Sequence, residues 1–271
     1  PGKMPGMAAF STVQAAAERG VMTITLSRPD ALNAMNEASC AELGAALRMA
    51  QRDEEVRCIV LTGAGCGFCT GQDLKELRAM RQSGDGVDFA AILRQRYNPL
   101  IVRLRTMEKP VLAAVNGPAV GAGFSLALAA DLRIAARSAS FRMAFVNLGL
   151  VPDCAATLTL VQHVGYARAA ELCLLGEDLS AEDALRWGLV NRVVPDEELA
   201  PAARELAEKL AGQPPRAVAL IKRALNRAWT ATLDGQLEYE ALLQGTAAAA
   251  PEHTQRLEAF FKRRPASAGE K

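Results

Sequence analysis

A chain of 271 residues with 31 basic and 30 acidic side chains carries a formal net charge of +1. The charges are spread along the chain, without the basic face or stripe of a nucleic-acid binder, and no apolar run reaches the about 18 residues of a membrane span. Half of the residues are hydrophobic and only 5% aromatic, so an aliphatic core is expected, in one α/β domain or a domain with a small appendage. With no signal-peptide pattern, a soluble cytoplasmic protein is expected. Six scattered cysteines read as reduced thiols. Two of them form a C-x-x-C, Cys66-Gly67-Phe68-Cys69, but no second pair or nearby histidine completes a zinc site, so no metal is expected.

In chain order, residues 1–7 are expected to be a disordered end. Strand-like runs follow at Val21–Leu26, Arg57–Thr62, Val111–Val115, Leu132–Ala135 and Leu189–Val194. Helical periodicity covers Glu37–Gln51, Leu74–Gln82 and Phe89–Thr106. This alternation predicts a largely parallel, layered α/β core. Helices are expected next at Ala156–Val164, Ala167–Leu175 and Ala181–Trp187, the last with Ser180 and Asp183 as a capping box. Glu197–Ala211, Arg216–Thr230, Leu233–Thr246 and Glu252–Lys262 complete the set, punctuated by Gly176, Gly188, Gly212 and Pro214-Pro215. The expected organisation is an α/β core over 8–195, a helical C-terminal region over 196–264 and a disordered end at 265–271. Lys262-Arg263-Arg264 is a solvated helix end or a phosphate contact.

Two glycine-rich turns stand between β-branched and helix-like runs. The first is Phe68-Cys69-Thr70-Gly71-Gln72-Asp73. The second is Gly117-Pro118-Ala119-Val120-Gly121-Ala122-Gly123, entering Phe124–Ala130. Small residues let a ligand approach the backbone, and the first N–H groups of a helix lack internal acceptors. The helix dipole adds partial positive charge there, so Gly121-Ala122-Gly123 suits an oxyanion; tight helix–strand packing is the alternative. No third glycine makes it a dinucleotide fingerprint, because Leu126 stands in that place, and Ser125 lacks the frame of a hydrolase elbow. Asp73 reads as a helix cap. Gln72 counts for its backbone N–H and not for its side chain. Asp153 follows Leu148-Gly149-Leu150-Val151-Pro152. It is either the N-cap of the next helix or a desolvated acid fit for proton transfer, and spacing alone leaves both open.

Taken together, Ser27–Met35, Thr62–Gly65, Phe68–Leu74, Lys109–Ala130, Ala135–Asp153, Leu179–Val194 and Phe260-Phe261-Lys262 resemble the crotonase superfamily, the enoyl-CoA hydratase/isomerase family. Within it, Gly65–Leu74, Arg96-Tyr97-Asn98-Pro99-Leu100, Ala135–Phe141 and Gly149–Cys154 resemble the isomerases of ring-1,2-epoxyphenylacetyl-CoA. The resemblance implies stacked β-β-α turns with a helical C-terminal region that assembles trimers or dimers of trimers. It implies an acyl-CoA thioester as substrate, with no further cofactor, whose carbonyl oxygen sits between the N–H groups of Gln72 and Ala122. Around the CoA and thioester it places Arg28, Ala31, Leu32 and Ala34, then Thr70, Gly71, Asp73 and Leu74, then Gly121. Lys262 would reach a neighbouring subunit's CoA.

Hydratases of this family use two glutamates. The matching positions here are Ser125 and Phe145, which with Pro152 would border the acyl group. The resemblance therefore implies isomerisation with Asp153 moving the proton, on a ring epoxide or, alternatively, as a Δ3,Δ2-enoyl-CoA or dienoyl-CoA isomerase. Phe124 and Phe145 are an apolar wall or plain core. Ala155-Ala156 stands where relatives carry two glycines. Further alternatives are a hydratase-like enzyme, an aryl-CoA dehalogenase with His163 activating water, and a non-catalytic acyl-CoA binder.

Overall fold

The computed structural model describes residues 10–82 and 86–263; the two ends expected to be disordered, and Arg264, lie outside them. Nine strands are found in the described residues: β1 (Val13–Glu18), β2 (Val21–Leu26), β3 (Cys58–Gly63), β4 (Val111–Val115), β5 (Ala119–Val120), β6 (Leu132–Ala136), β7 (Ser140–Arg142), β8 (Asp178–Ser180) and β9 (Arg192–Val194). Six of them form one sheet in the order β1-β2-β3-β4-β6-β9, in which only β1 and β2 are antiparallel. The other three form a small sheet, β5-β7-β8.

The five strands read from β-branched runs are present, although β9 is shorter than expected. Leu189 and Val190 form the turn before it, with Asn191 N–H donating to Arg133 O. Four strands are additions. The alanine-rich β1 carries little strand propensity and is specified by its partner: Arg19 and Gly20, both at positive φ, turn it back onto β2 in register, Glu18 opposite Val21. β5, β7 and β8 have two or three residues each, too few for an alternating pattern to show. Every residue of β4 is buried, as in a parallel sheet covered on both faces.

Helix α1 (Glu37–Arg52) packs on β1 and β2. Its Asn36 cap accepts from Ser39 N–H, and Leu43, Gly44, Ala46, Leu47 and Ala50 form its buried stripe. Helix α2 (Leu74–Gln82) follows the first glycine turn. The single helix expected over Phe89–Thr106 is broken in character: α3 (Phe89–Ile92) passes through a π-turn at Leu93–Tyr97 into α4 (Asn98–Thr106). Helix α5 (Ala122–Leu128) leaves the second glycine turn and is buried along its whole length. Helix α6 (Ala156–Leu175) joins the two expected helices through Gly165, whose φ of 75° breaks the helical run. Ser180 caps α7 (Ala181–Arg186) by accepting from Asp183 N–H.

Two compact units divide between Gly212 and Gln213. The expected boundary near residue 195 lies before α8 (Leu199–Ala211), but α8 buries Leu199, Ala203 and Ala207 and packs on β2, β3, β4 and β6. It therefore belongs to the first unit. The second unit holds α9 (Pro215–Ala228), α10 (Leu233–Ala248) and α11 (Pro251–Arg263). No described helix is long and apolar enough to cross a membrane.

Candidate active site

The site is built where the two glycine turns meet. Cys69 pairs with Ala119 as an isolated parallel bridge, and Val120 N–H donates to Cys69 O at 2.9 Å. The approach depends on missing side chains. A methyl group on Gly123 would fall 2.0 Å from Cys69 O, and one on Gly117 2.0 Å from Cys66 O. Gly71, at φ +82°, adopts a left-handed conformation that costs an L-residue about 1–2 kcal/mol. A methyl there would lie 2.9 Å from Val120 O and 3.1 Å from Ala122 N. Thus Gly123 serves tight packing, one of the two readings of its turn, and that packing brings Ala122 to the Gly71-Gln72 turn.

Two backbone donors point away from their neighbours. Met35 bridges Gln72 in parallel fashion: Met35 N–H donates to Gly71 O (2.7 Å) and Asp73 N–H to Met35 O (2.9 Å). That pattern turns the N–H of Gln72 itself to the opposite side. Ala122 opens α5, so its N–H has no intrahelical acceptor. Among the described residues, neither N–H has a hydrogen-bond partner.

Both residues line a cavity of about 310 Å³, together with Tyr97, Phe145, Leu150 and Asp153. Leu74, Leu77, Phe89, Ile92, Leu93 and Leu148 make its wall apolar. Asp153 is the single carboxylate and Arg142 the single cation among the described lining residues. Arg142 is engaged by its Nε, which donates to Gly176 O at 2.6 Å. The cavity lies wholly in the first unit.

Asp153 is not the helix cap. The N-cap of α6 is Ala155, without a side-chain cap bond, and Asp153 contributes only its backbone carbonyl, to Ala156 N–H at 3.0 Å. One carboxylate oxygen, Oδ1, is buried with no hydrogen-bond partner. Burial raises the Asp153 pKa above its ordinary value, against a smaller lowering by the Cys154 thiol. Of the two readings open at the sequence level, the geometry matches the desolvated acid. Cys154 and Ala155 both sit at positive φ (55° and 62°), so the first of the two alanines occupies a conformation that glycine takes freely.

Asp73 does cap its helix. Its Oδ1 accepts from Lys75 N–H (2.9 Å) and Glu76 N–H (3.3 Å), and Arg28 pairs with its Oδ2 at 2.8 Å. Desolvation would raise this carboxyl, but the Arg28 hydrogen bond and the two backbone N–H groups hold it below its ordinary value. Arg28 also donates to Ala34 O, and Thr70 N–H to Leu32 O at 3.1 Å. The Arg28–Ala34 segment, distant in sequence, is therefore tied to the Thr70–Leu74 turn; Thr70, Gly71 and Leu74 of that turn line the cavity, whereas Asp73 and residues 28–34 are not among its described lining residues. Ala31 and Ala34 are half-buried, and Leu32 is exposed in a left-handed conformation.

Of the three residues expected around an acyl group, Phe145 lines the cavity, whereas Ser125 and Pro152 do not. Ser125 is buried on α5 and its hydroxyl donates to Gly121 O in the preceding turn at 3.2 Å. Phe124 is core: it is fully buried, with its ring centroid 5.0 Å from that of Phe141. His163 is not among the lining residues, and its Nδ1 lies 2.7 Å from Thr159 O of its own helix. Lys262 is an exposed residue of α11 in the second unit.

The sequence reading quoted Tyr97 only within the Arg96–Leu100 motif and gave it no place at the site. Its hydroxyl donates to Gln72 Oε1 at 2.7 Å, and Gln72 Nε2 donates to Glu76 Oε2 at 3.1 Å. Arg96 pairs with Glu76 and Glu37 behind them. The available signal was Pro99 inside an otherwise helical run, which marks an irregular turn beside it.

The enoyl-CoA hydratase/isomerase family model matches residues 16–271. The 1,2-epoxyphenylacetyl-CoA isomerase of Escherichia coli strain K12 is 48% identical over 247 residues, covering 91% of this chain and 94% of that protein. The short-chain-enoyl-CoA hydratase of Clostridium acetobutylicum is 36% identical over 248 residues, covering 91% and 93%. A crystal structure of an enoyl-CoA hydratase subunit I from Geobacillus kaustophilus HTA426 superposes with a TM-score of 0.87 at 36% identity, covering 97% of this chain and all of that one. The chain belongs to the crotonase superfamily, the enoyl-CoA hydratase/isomerase family.

Proposed function

We propose that this protein is an acyl-CoA isomerase that opens the ring epoxide of 1,2-epoxyphenylacetyl-CoA. One observation carries the reading: the carboxylate of Asp153, whose Oδ1 is buried without a hydrogen-bond partner, shares a cavity with two unpartnered backbone N–H groups, at Gln72 and Ala122. The two donors would hold the thioester oxygen as it gains charge, each contributing about 3–4 kcal/mol to the transition state. Asp153 would take a proton from one carbon and return it elsewhere, a contribution of about 10²–10⁴-fold. Phe89, Tyr97 and Phe145 give the cavity an aromatic wall suited to a six- or seven-membered ring. The similarity to the E. coli isomerase supports the same substrate class.

Water addition is disfavoured because Ser125 and Phe145 leave Asp153 without a second acid to activate water. A second reading, a Δ3,Δ2-enoyl-CoA or dienoyl-CoA isomerase using the same base, is favoured by the aliphatic part of the wall, Leu74, Leu77, Ile92 and Leu93. The Thr70–Leu74 turn and Gly121, with the Arg28–Ala34 segment tied to that turn, would flank the CoA. Lys262 would reach the CoA of a neighbouring subunit in a cytoplasmic homotrimer or dimer of trimers.

The test is turnover of three thioesters: the ring epoxide of phenylacetyl-CoA, a 3-enoyl-CoA and a 2-enoyl-CoA. Conversion of the epoxide is the expected result. Conversion of the 3-enoyl-CoA alone selects the second reading. Hydration of the 2-enoyl-CoA, or silence on all three, contradicts both.

A further inference from the structure

The side chain of Gln72, discounted when only its N–H was considered, is fixed at both ends. Tyr97 Oη donates to its oxygen, and its amide nitrogen donates to Glu76 Oε2, itself 3.3 Å from Arg96 Nη1. The same Tyr97 hydroxyl lies 3.4 Å from Met35 O, the acceptor for Asp73 N–H. One buried phenol thus touches both sides of the bridge that orients the Gln72 N–H.

Tyr97 reaches this place through Pro99. Proline has no N–H for Gln95 O, and its ring would collide with that carbonyl in a regular helix. The helix opens instead into the π-turn, in which Asn98 N–H donates to Leu93 O five residues back. The wider turn sets Tyr97 on the cavity face with Phe89, Ile92 and Leu93, while Leu100, Ile101 and Leu104 turn into the core.

The Gly71–Gln72 peptide is held at its carbonyl by Met35 N–H (2.7 Å), and the fixed Gln72 side chain braces its other end. Gly71 has no side chain and a left-handed φ, so its own backbone restrains the peptide weakly. We propose that Tyr97 is a positioning residue for the oxyanion site, its hydroxyl holding the Gln72 amide so that the Gln72 N–H keeps its aim at the thioester oxygen. This rests on the oxyanion reading proposed above. A misdirected donor weakens transition-state stabilisation more than ground-state binding, so the loss belongs in kcat.

The test uses 4-aminobenzoyl-CoA, whose absorption moves to longer wavelength when its thioester carbonyl is polarised, with wild type, Tyr97→Phe, Gln72→Ala and the double variant. Wild type is expected to shift the bound probe. Each single variant should bind it with a Kd within a few-fold of wild type, lose most of the shift, and turn over the isomerase substrate on the order of 10- to 100-fold more slowly at little changed KM. The double variant should be no worse than the singles, because both break one link. A Tyr97→Phe protein with the full shift and full kcat would overturn the proposal while leaving the oxyanion site standing. Tyr97→Phe losing Tm and probe binding together would make Tyr97 a structural residue and also overturn it. Absence of any shift in wild type would instead overturn the oxyanion reading, and this proposal with it.

Discussion

The chemistry of the site turns on the environment of one carboxylate. Asp153 is held above its ordinary pKa by burial and has an oxygen with no donor to satisfy it. A base must be ionised to work, so kcat/KM is expected to fall as pH falls through the raised value. The acidic limb of its pH profile should therefore lie above 3.8, the ordinary value for an aspartate. The stability effect has the opposite sense. A raised folded-state pKa contributes stability below the ordinary value and loses it as pH rises through the folded value. Next to Asp153, Ala155 at φ 62° pays for a backbone shape that suits glycine. Ala155→Gly should raise Tm, by the equivalent of up to about 1 kcal/mol once the freer unfolded chain is set against the relieved strain. A calorimetric scan showing a lower Tm would contradict this account of the turn.

At the scale of elements, the approach of the two glycine turns is the structural requirement. Gly123→Ala puts a methyl 2.0 Å from Cys69 O, backbone against backbone, with no flexible side chain to yield. It should cost about 1–3 kcal/mol in denaturant unfolding and depress turnover by separating Ala122 from the Gln72 turn. Unchanged activity would mean that this approach is not needed. The glycines of these turns, the Asp73 cap and the helix from Leu74 to Gln82 were legible because each follows from local chemistry: conformational freedom, a short acceptor, an apolar period. The place of Asp153 was open, because cap and acid share a position at a helix start, and only the buried, unpartnered Oδ1 and the N-cap at Ala155 separate them. The Tyr97–Gln72 link was not legible. It joins residues 25 apart through a π-turn that periodicity reads as plain helix. The short strands β5, β7 and β8 were hidden for the same reason: long-range pairing specifies them, not their composition.

Across the whole molecule, the α/β character and the helical C-terminal region could be read from alternating periods. The division at Gly212 could not, because α8 looks like its neighbours in sequence and differs only in packing on the sheet. The helices beyond it expose Leu225, Trp229, Leu233, Leu237, Leu242, Leu257, Phe260 and Phe261. So much exposed apolar surface on one small unit suits burial against other copies. The proposed assembly predicts a light-scattering mass of three or six times the 28.8 kDa chain; a monomer at micromolar concentration would contradict it.

The central claim is that Asp153 moves a proton on a thioester held by two backbone donors. Its most direct test is kcat for isomerisation by Asp153→Asn beside wild type, with substrate-analogue Kd measured on the same preparations. Asparagine keeps the shape and removes the base. The account predicts a loss of about 10²–10⁴-fold in kcat at little changed Kd, with a Tm at pH 7 no lower than that of wild type. A kcat within a few-fold of wild type would contradict it.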